Sequence, residues 1–254
     1  MSEADNKSSI GSFPGVMLRT DWVEKAEADM ESLRKSAEFA VAQLKCDFPH
    51  WPLNDVRRWA VIRFKEHCFV SVVGLCIMRV HLSRLDWWEN YAPGSGKIII
   101  EGGRSTFDKM VKGKFVLDMV GNLEHSIKLI LRELDPTSKA HKFSHLYRSL
   151  FRNSNPYLNV VPNDWEAPFE LLRRMRNSIH TAWLYEPEQG GDYHITYKGK
   201  DISLICGKPI ECFSWDLLNI LGNDLFRILI TLVRDPKVSH FSAIPDPGAG
   251  PSFT

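Results

Sequence analysis

Apolar positions recur at three- and four-residue spacing along most of the chain, and one short stretch alternates with period two. Trp22, Ala26, Met30, Leu33, Ala37, Ala40, Val41 and Leu44 predict a first helix that begins at Thr20 or Asp21, either a suitable N-cap. Phe48-Pro49-His50-Trp51-Pro52 breaks it. Asn54 is then the expected cap of a long helix to about Asn90. Its middle, Cys68 to Met78, is apolar nearly all round, as in the central helix of a bundle. Ala92-Pro93-Gly94-Ser95-Gly96 ends it. Lys97 to Ile100 reads as a short strand punctuated by Gly102-Gly103, and Ser105 as the cap of a third helix ending near Leu134. A shorter helix is expected from about Lys142 to Arg152. Asn163 or Asp164 caps a further one through about Tyr185.

The period then changes. Tyr193-His194-Ile195-Thr196-Tyr197 and Asp201-Ile202-Ser203-Leu204-Ile205, joined by Lys198-Gly199-Lys200, predict a β-hairpin. Gly207-Lys208-Pro209 turns the chain again, and Ser214 caps a last amphipathic helix to about Val233. No strand–helix alternation points to a parallel sheet. The expected fold is mainly α, an antiparallel helical bundle with a small β-hairpin inserted before the last helix. Residues 1–18 read as a disordered arm, 19–234 as a single helical domain with long N-terminal helices over 20–90, and 235–254 as a disordered tail.

Composition narrows the function classes. The 254 residues carry 32 Lys+Arg against 31 Asp+Glu, formally +1, which excludes a strongly basic, whole-surface nucleic-acid binder but not a local basic site. The N-terminal stretch has acids and no apolar run of the kind a secretory signal needs, and Cys68 to Met78 is too short to span a bilayer. Five cysteines without a CxxC pair read as reduced thiols. Cys206 and Cys212 flank a turn, but a disulfide between them is disfavoured in a reducing compartment. These features predict a cytoplasmic protein that makes no use of the membrane.

Two motif-like stretches fail on their own chemistry. Gly94-Ser95-Gly96-Lys97 resembles part of a phosphate loop, but Tyr91 stands where the first Gly belongs and Ile98 follows the Lys. His141 and His145 share a helix face, but Lys142 occupies the position of the Glu in the zinc-protease pattern, and no further ligand lies at suitable spacing. No metal and no cofactor is expected.

The stretch that carries chemistry is residues 169–183, FELLRRMRNSIHTAW. At about 100° per residue, Arg173, Arg176, Asn177 and His180 fall within an arc of roughly 100°. Arg174 points well away from His180. Leu171, Leu172, Met175 and Ile179 form the neighbouring apolar stripe, continued by Trp183. Arginine holds phosphate bidentately. Histidine can give or take a proton near neutrality, and asparagine can orient either group. RNA supplies its own nucleophile, the 2′-hydroxyl. A base beside that hydroxyl and a cation on the phosphate suffice for transesterification without a metal. The same pattern also suits a merely solvated helix face.

The run Arg176-Asn177-Ser178-Ile179-His180 resembles the Arg-Asn-x-x-(x)-His signature of HEPN domains (higher eukaryotes and prokaryotes nucleotide-binding), over about residues 105–234. The resemblance implies a metal-independent endoribonuclease in a toxin or phage-defence role. It would act as a homodimer through the motif helix, with an antitoxin or defence-system protein as a further partner. His180 would then be general base or acid, Arg176 would stabilise the phosphate, Asn177 would orient them, and Arg173 would bind substrate. One departure stands out. The family places four to six residues between Arg and His, whereas three separate Arg176 from His180, six separate Arg173, and five separate Arg174. Arg173 is therefore an alternative motif arginine. A non-catalytic helical module that binds a nucleotide or a partner protein is the alternative function.

Overall fold

The computed structural model describes residues 18–152, 157–187 and 190–249, so all but Leu18 of the expected N-terminal arm lies outside the described residues. The first helix, α1 (Asp21–Asp47), buries Val23, Ala26, Met30, Leu33, Ala37, Ala40 and Leu44 along one face. Val23 rather than Trp22 starts that face, and Trp22 is 41% exposed. The second helix, α2 (Val56–Ile77), is capped by Asp55, one residue later than Asn54, whose carboxylate accepts the Arg57 N–H. It widens into a π-helical segment, Met78–Leu82, where the Ser83 hydroxyl donates to the Met78 carbonyl at 2.9 Å. Arg84 is extended, so α3 (Leu85–Tyr91) is a separate short helix and the single long helix to Asn90 is not formed.

The apolar middle of α2 is not enclosed as expected. Cys68 and Leu75 are buried, but Phe69, Val70, Val73, Ile77 and Val80 are 54, 46, 40, 39 and 37% exposed. The helix packs on its neighbours with one face and leaves an apolar stripe on the other. Lys97 to Ile100 is no strand but the first turn of the 38-residue α4 (Lys97–Leu134), and Ser105 lies inside that helix without capping it. Gly102-Gly103 is not a turn either. A Cβ on Gly103 would meet the Trp88 ring at 2.7 Å, so this glycine is a notch that lets α3 approach α4.

The chain continues through α5 (Phe143–Phe151), α6 (Glu166–His180), a hairpin of β1 (Tyr193–Tyr197) and β2 (Lys200–Leu204), α7 (Trp215–Arg234) and a four-residue α8 (Pro236–Ser239). The molecule is thus mainly helical with one small antiparallel hairpin. Lys198 and Gly199 both have positive φ, 51° and 75°, the geometry of a two-residue hairpin turn that pairs Tyr197 with Lys200. Tyr197 donates to the Asp224 carboxylate at 2.7 Å and ties the hairpin to α7. Ser214 caps α7 through the Leu217 N–H, as its sequence position suggests. All five cysteines are free, Cys206 and Cys212 included. Among the described residues no helix is long and apolar enough to cross a membrane. One continuous core joins α1, α2 and α4 to α5, α6 and α7.

The tail expected to be disordered over 235–254 is packed from 235 to 246, and its residues 250–254 lie outside the described residues. Val238 and Ile244 are buried, and a fully buried ion pair explains why. Arg57 donates to Asp55 through Nε at 2.7 Å and Nη2 at 2.5 Å. Its Nη1 reaches the carbonyls of Val238 and Phe241 at 2.8 and 2.9 Å, and its guanidinium lies 3.9 Å over the Trp51 ring. Asp55 in turn accepts the Ile244 N–H at 3.0 Å. A charge with no water must have all its partners, and here the C-terminal backbone supplies them. Arg57→Ala should therefore destabilise the fold by about 3–5 kcal/mol, because Asp55 is left as an uncompensated buried charge. Urea titration would measure this; a midpoint equal to wild type would show that the clasp carries no stability.

Candidate functional site

The site is built on α6. The sequence puts Leu171, Leu172, Met175 and Ser178 on the face that enters the core. Phe169 joins Tyr147 and Phe151 of α5 in an aromatic layer with ring centres 5.0 and 5.5 Å from it. The helix begins at Glu166 after Asp164, whose φ of 56° is left-handed, and no side chain caps it, so neither expected cap operates. It ends at His180, five residues before Tyr185. Ala182 and Trp183 have φ of 54° and 71°, and the Trp183 N–H reaches back to the Ser178 carbonyl at 2.7 Å. Trp183 therefore does not extend the helical stripe. Its ring lies edge-on to Phe213 and so close to α4 that a Cβ on Gly113 would meet it at 3.0 Å.

Glu170 organises the polar side. Its carboxylate accepts from Arg173 at 3.0 and 2.6 Å, from Arg174 Nε at 2.9 Å and from the Tyr147 hydroxyl at 2.8 Å, with Arg148 Nη2 at 3.6 Å. Burial alone would raise its pKa. The hydrogen bonds from Arg173 and Tyr147 and the two arginine charges overrule this and hold it at about 2. Burial first, and then the Glu170 charge, push the Tyr147 phenol up, which keeps it a donor. Arg174 also donates to the Tyr185 hydroxyl and lies 3.9 Å over the Tyr193 ring of β1. The hairpin is thereby anchored at both ends, on Arg174 and on Asp224.

The residues nominated from the sequence divide between two shoulders of α6. Arg173, Asn177 and Arg174 line a cavity of about 320 Å³ together with His145 and Arg148 of α5. Arg176 and His180 do not line it; Arg176 is half-buried and His180 exposed. Around the helix Asn177 lies between Arg173 and Arg174, whereas Arg176 and His180 fall on the far side of Arg173. Among the described residues the side chains of Arg176, Asn177 and His180 have no hydrogen-bond or ion-pair partner, while Arg173 is bound to Glu170. The spacing along α6 does not single out Glu170, Arg148 or Tyr147. Glu170 was legible as an ion-pair partner three and four residues before two arginines. The two α5 residues had no sequence signal, because the contact is tertiary. Among the described residues no three His, Cys, Asp or Glu side chains gather as a metal-ligand set.

No family model, curated protein or solved structure matches the chain, so its chemistry rests on this geometry.

Because Glu170 titrates lower in the folded state than its ordinary 4.5, its contribution to stability is complete above about pH 4.5 and is lost as pH falls through about 2. Glu170→Gln should be less stable than wild type at pH 7, with the gap closing below pH 4.5. Chemical denaturation at stepped pH would test this; a gap independent of pH would contradict the charge assignment.

Proposed function

We propose that this chain is a HEPN-type, metal-independent endoribonuclease that cleaves RNA by attack of the 2′-hydroxyl. The observation that carries the reading is that Arg176, Asn177 and His180 have side chains without partners among the described residues, Arg176 and His180 on the outer flank of α6 and Asn177 at the cavity, on either side of an arginine that Glu170 holds. In this reading His180 moves the proton of the 2′-hydroxyl or of the leaving oxygen, Arg176 meets the charge that develops on phosphate, and Asn177 orients them. Arg173, fixed by Glu170, adds positive potential and binds substrate. Two copies joined through α6 would present each group twice in one cleft, which offsets the near-neutral charge of the single chain. A toxin or defence role, with a protein that masks the site until needed, follows from the same reading.

A second reading is a non-catalytic module that docks a partner protein or a nucleotide. Two observations favour it: His180 stands apart from the cavity, and the stripe of Phe69, Val73 and Ile77 on α2 is an apolar surface open to a partner.

Purified protein with total and transfer RNA in EDTA should give products ending in 2′,3′-cyclic phosphate. His180→Ala should lose about 100-fold or more of that activity with little change in melting temperature, since the side chain is exposed. Cleavage that survives His180→Ala, or that EDTA abolishes, would remove the first reading.

A further inference from the structure

We propose that the cavity between α5 and α6 binds a phosphate monoester, either a free mononucleotide or the 5′-phosphorylated end of an RNA. Such a site goes beyond ribonuclease action, gives the nucleotide-binding reading a place and a ligand class, and does not require His180 to be catalytic.

Three guanidinium groups meet at this cavity, Arg148 from α5 and Arg173 and Arg174 from α6. Glu170 occupies only part of each. It takes Nε and Nη2 of Arg173, Nε of Arg174, and lies 3.6 Å from one nitrogen of Arg148. Arg173 Nη1 and Arg174 Nη2 have no acceptor among the described residues, and neither is among the buried polar atoms that lack a partner. They are donors that water or a ligand must satisfy. Their side chains are nonetheless held in place. Arg173 is paired with Glu170 through two nitrogens, and Arg174 is fixed between Glu170, Tyr185 and Tyr193. A ligand does not have to order them, which removes much of the entropic cost of binding.

Charge selects the ligand class. Against three guanidinium groups stand the Glu170 carboxylate, ionised far below neutrality, and the exposed Glu186 at the rim. The excess is positive, in a concave site where fields are concentrated. A phosphate monoester carries nearly two negative charges at neutral pH and offers three oxygens to such donors. A diester within a strand carries one charge and two free oxygens. Size gives the same answer. A volume of about 320 Å³ is at the small end for ligand pockets, about 300–1,000 Å³. That admits a single phosphorylated unit or a chain end rather than a passing strand. Asn177 and His145 add an amide and an imidazole to the wall. A larger recess of about 810 Å³ shares Arg148 and Arg174 with the cavity and brings Trp165 and Tyr193, surfaces on which a base can rest.

Calorimetric titration of the whole protein tests this with AMP, adenosine, and one short RNA bearing either a 5′-phosphate or a 5′-hydroxyl. AMP should bind and adenosine should not; the phosphorylated RNA should bind about tenfold or more tightly than its hydroxyl twin. Tighter binding of AMP would identify a free mononucleotide as the ligand, and tighter binding of the RNA would identify a strand end. Arg148→Ala should weaken AMP about tenfold or more, because Arg148 is half exposed and loosely held, 3.6 Å from Glu170 and 5.9 Å from the centre of the Tyr147 ring. Asn177→Ala serves as a second variant, should Arg148→Ala fail to match the wild-type circular dichroism. AMP binding no tighter than adenosine, or binding untouched in both folded variants, would overturn the proposal. Intact AMP binding in a His180→Ala protein that cleaves no RNA would show that the pocket binds without His180, and RNA cleavage unchanged in Arg148→Ala would show that cleavage does not pass through the pocket.

Discussion

A carboxylate shut away from water has to be met by cations and hydrogen-bond donors, or the surfaces around it cannot close. Glu170 imposes that condition on the joint between α5 and α6. Tyr147 and Arg148 answer it from one helix, and Arg173 and Arg174 from the other. The aromatic layer beneath brings the helices together without regard to direction, whereas the carboxylate has a fixed geometry and selects one rotation of α6. That rotation turns Arg173, Asn177 and Arg174 toward the cavity and leaves Arg176 and His180 on the outer flank. Tyr193 depends on the same arrangement, because it rests on an arginine that Glu170 holds. The seat of Tyr193, the cavity and the exposed flank all depend on one neutralised charge.

Much of the architecture was legible from local signals, and the failures share a cause. Ser214 announces α7, and Lys198-Gly199 announces the hairpin, because a cap or a tight turn is decided by a few adjacent residues. Gly102-Gly103 misleads for a tertiary reason: the absent side chain of Gly103 makes room for Trp88, which the local pattern cannot reveal. Trp183 misleads in the same way. It fits the helical stripe by spacing, but docking against Gly113 and Phe213 takes it out of the helix. The proline-rich composition after Asp235 resembles that of a loose tail, yet Val238 and Ile244 are core residues, because Arg57 needs the carbonyls beside them. In α2 the run CFVSVVGLCIM shows apolarity but not how many neighbours will cover it.

The candidate site was half legible. Helical geometry separates Arg176 and His180 from the core-facing residues, and it separates Arg174 from His180. It does not show which arginines are already engaged. Glu170 lies three and four positions from Arg173 and Arg174, a spacing that permits ion pairs without requiring them. Tyr147 and Arg148 decide the matter from a different helix, 23 and 22 positions earlier for Glu170's two α5 neighbours in turn. A motif read along one helix therefore finds the uncommitted groups and overlooks the partners that set their neighbours in place.

The clasp at Arg57 also bears on the order in which the chain acquires its structure. The guanidinium that starts α2 has an acceptor in Val238, 181 positions later. During synthesis this end of α2 is made long before that acceptor exists, and until then Arg57 must stay hydrated or borrow some other partner. The first two helices can pair early along their apolar faces, but the corner of the bundle between Trp51 and α2 has to remain open to water until residues 238–246 arrive. Closure of this corner is thus a long-range event, tied to a segment made 181 positions after Arg57, and a ribosome-bound intermediate would keep the corner accessible to chaperones and proteases.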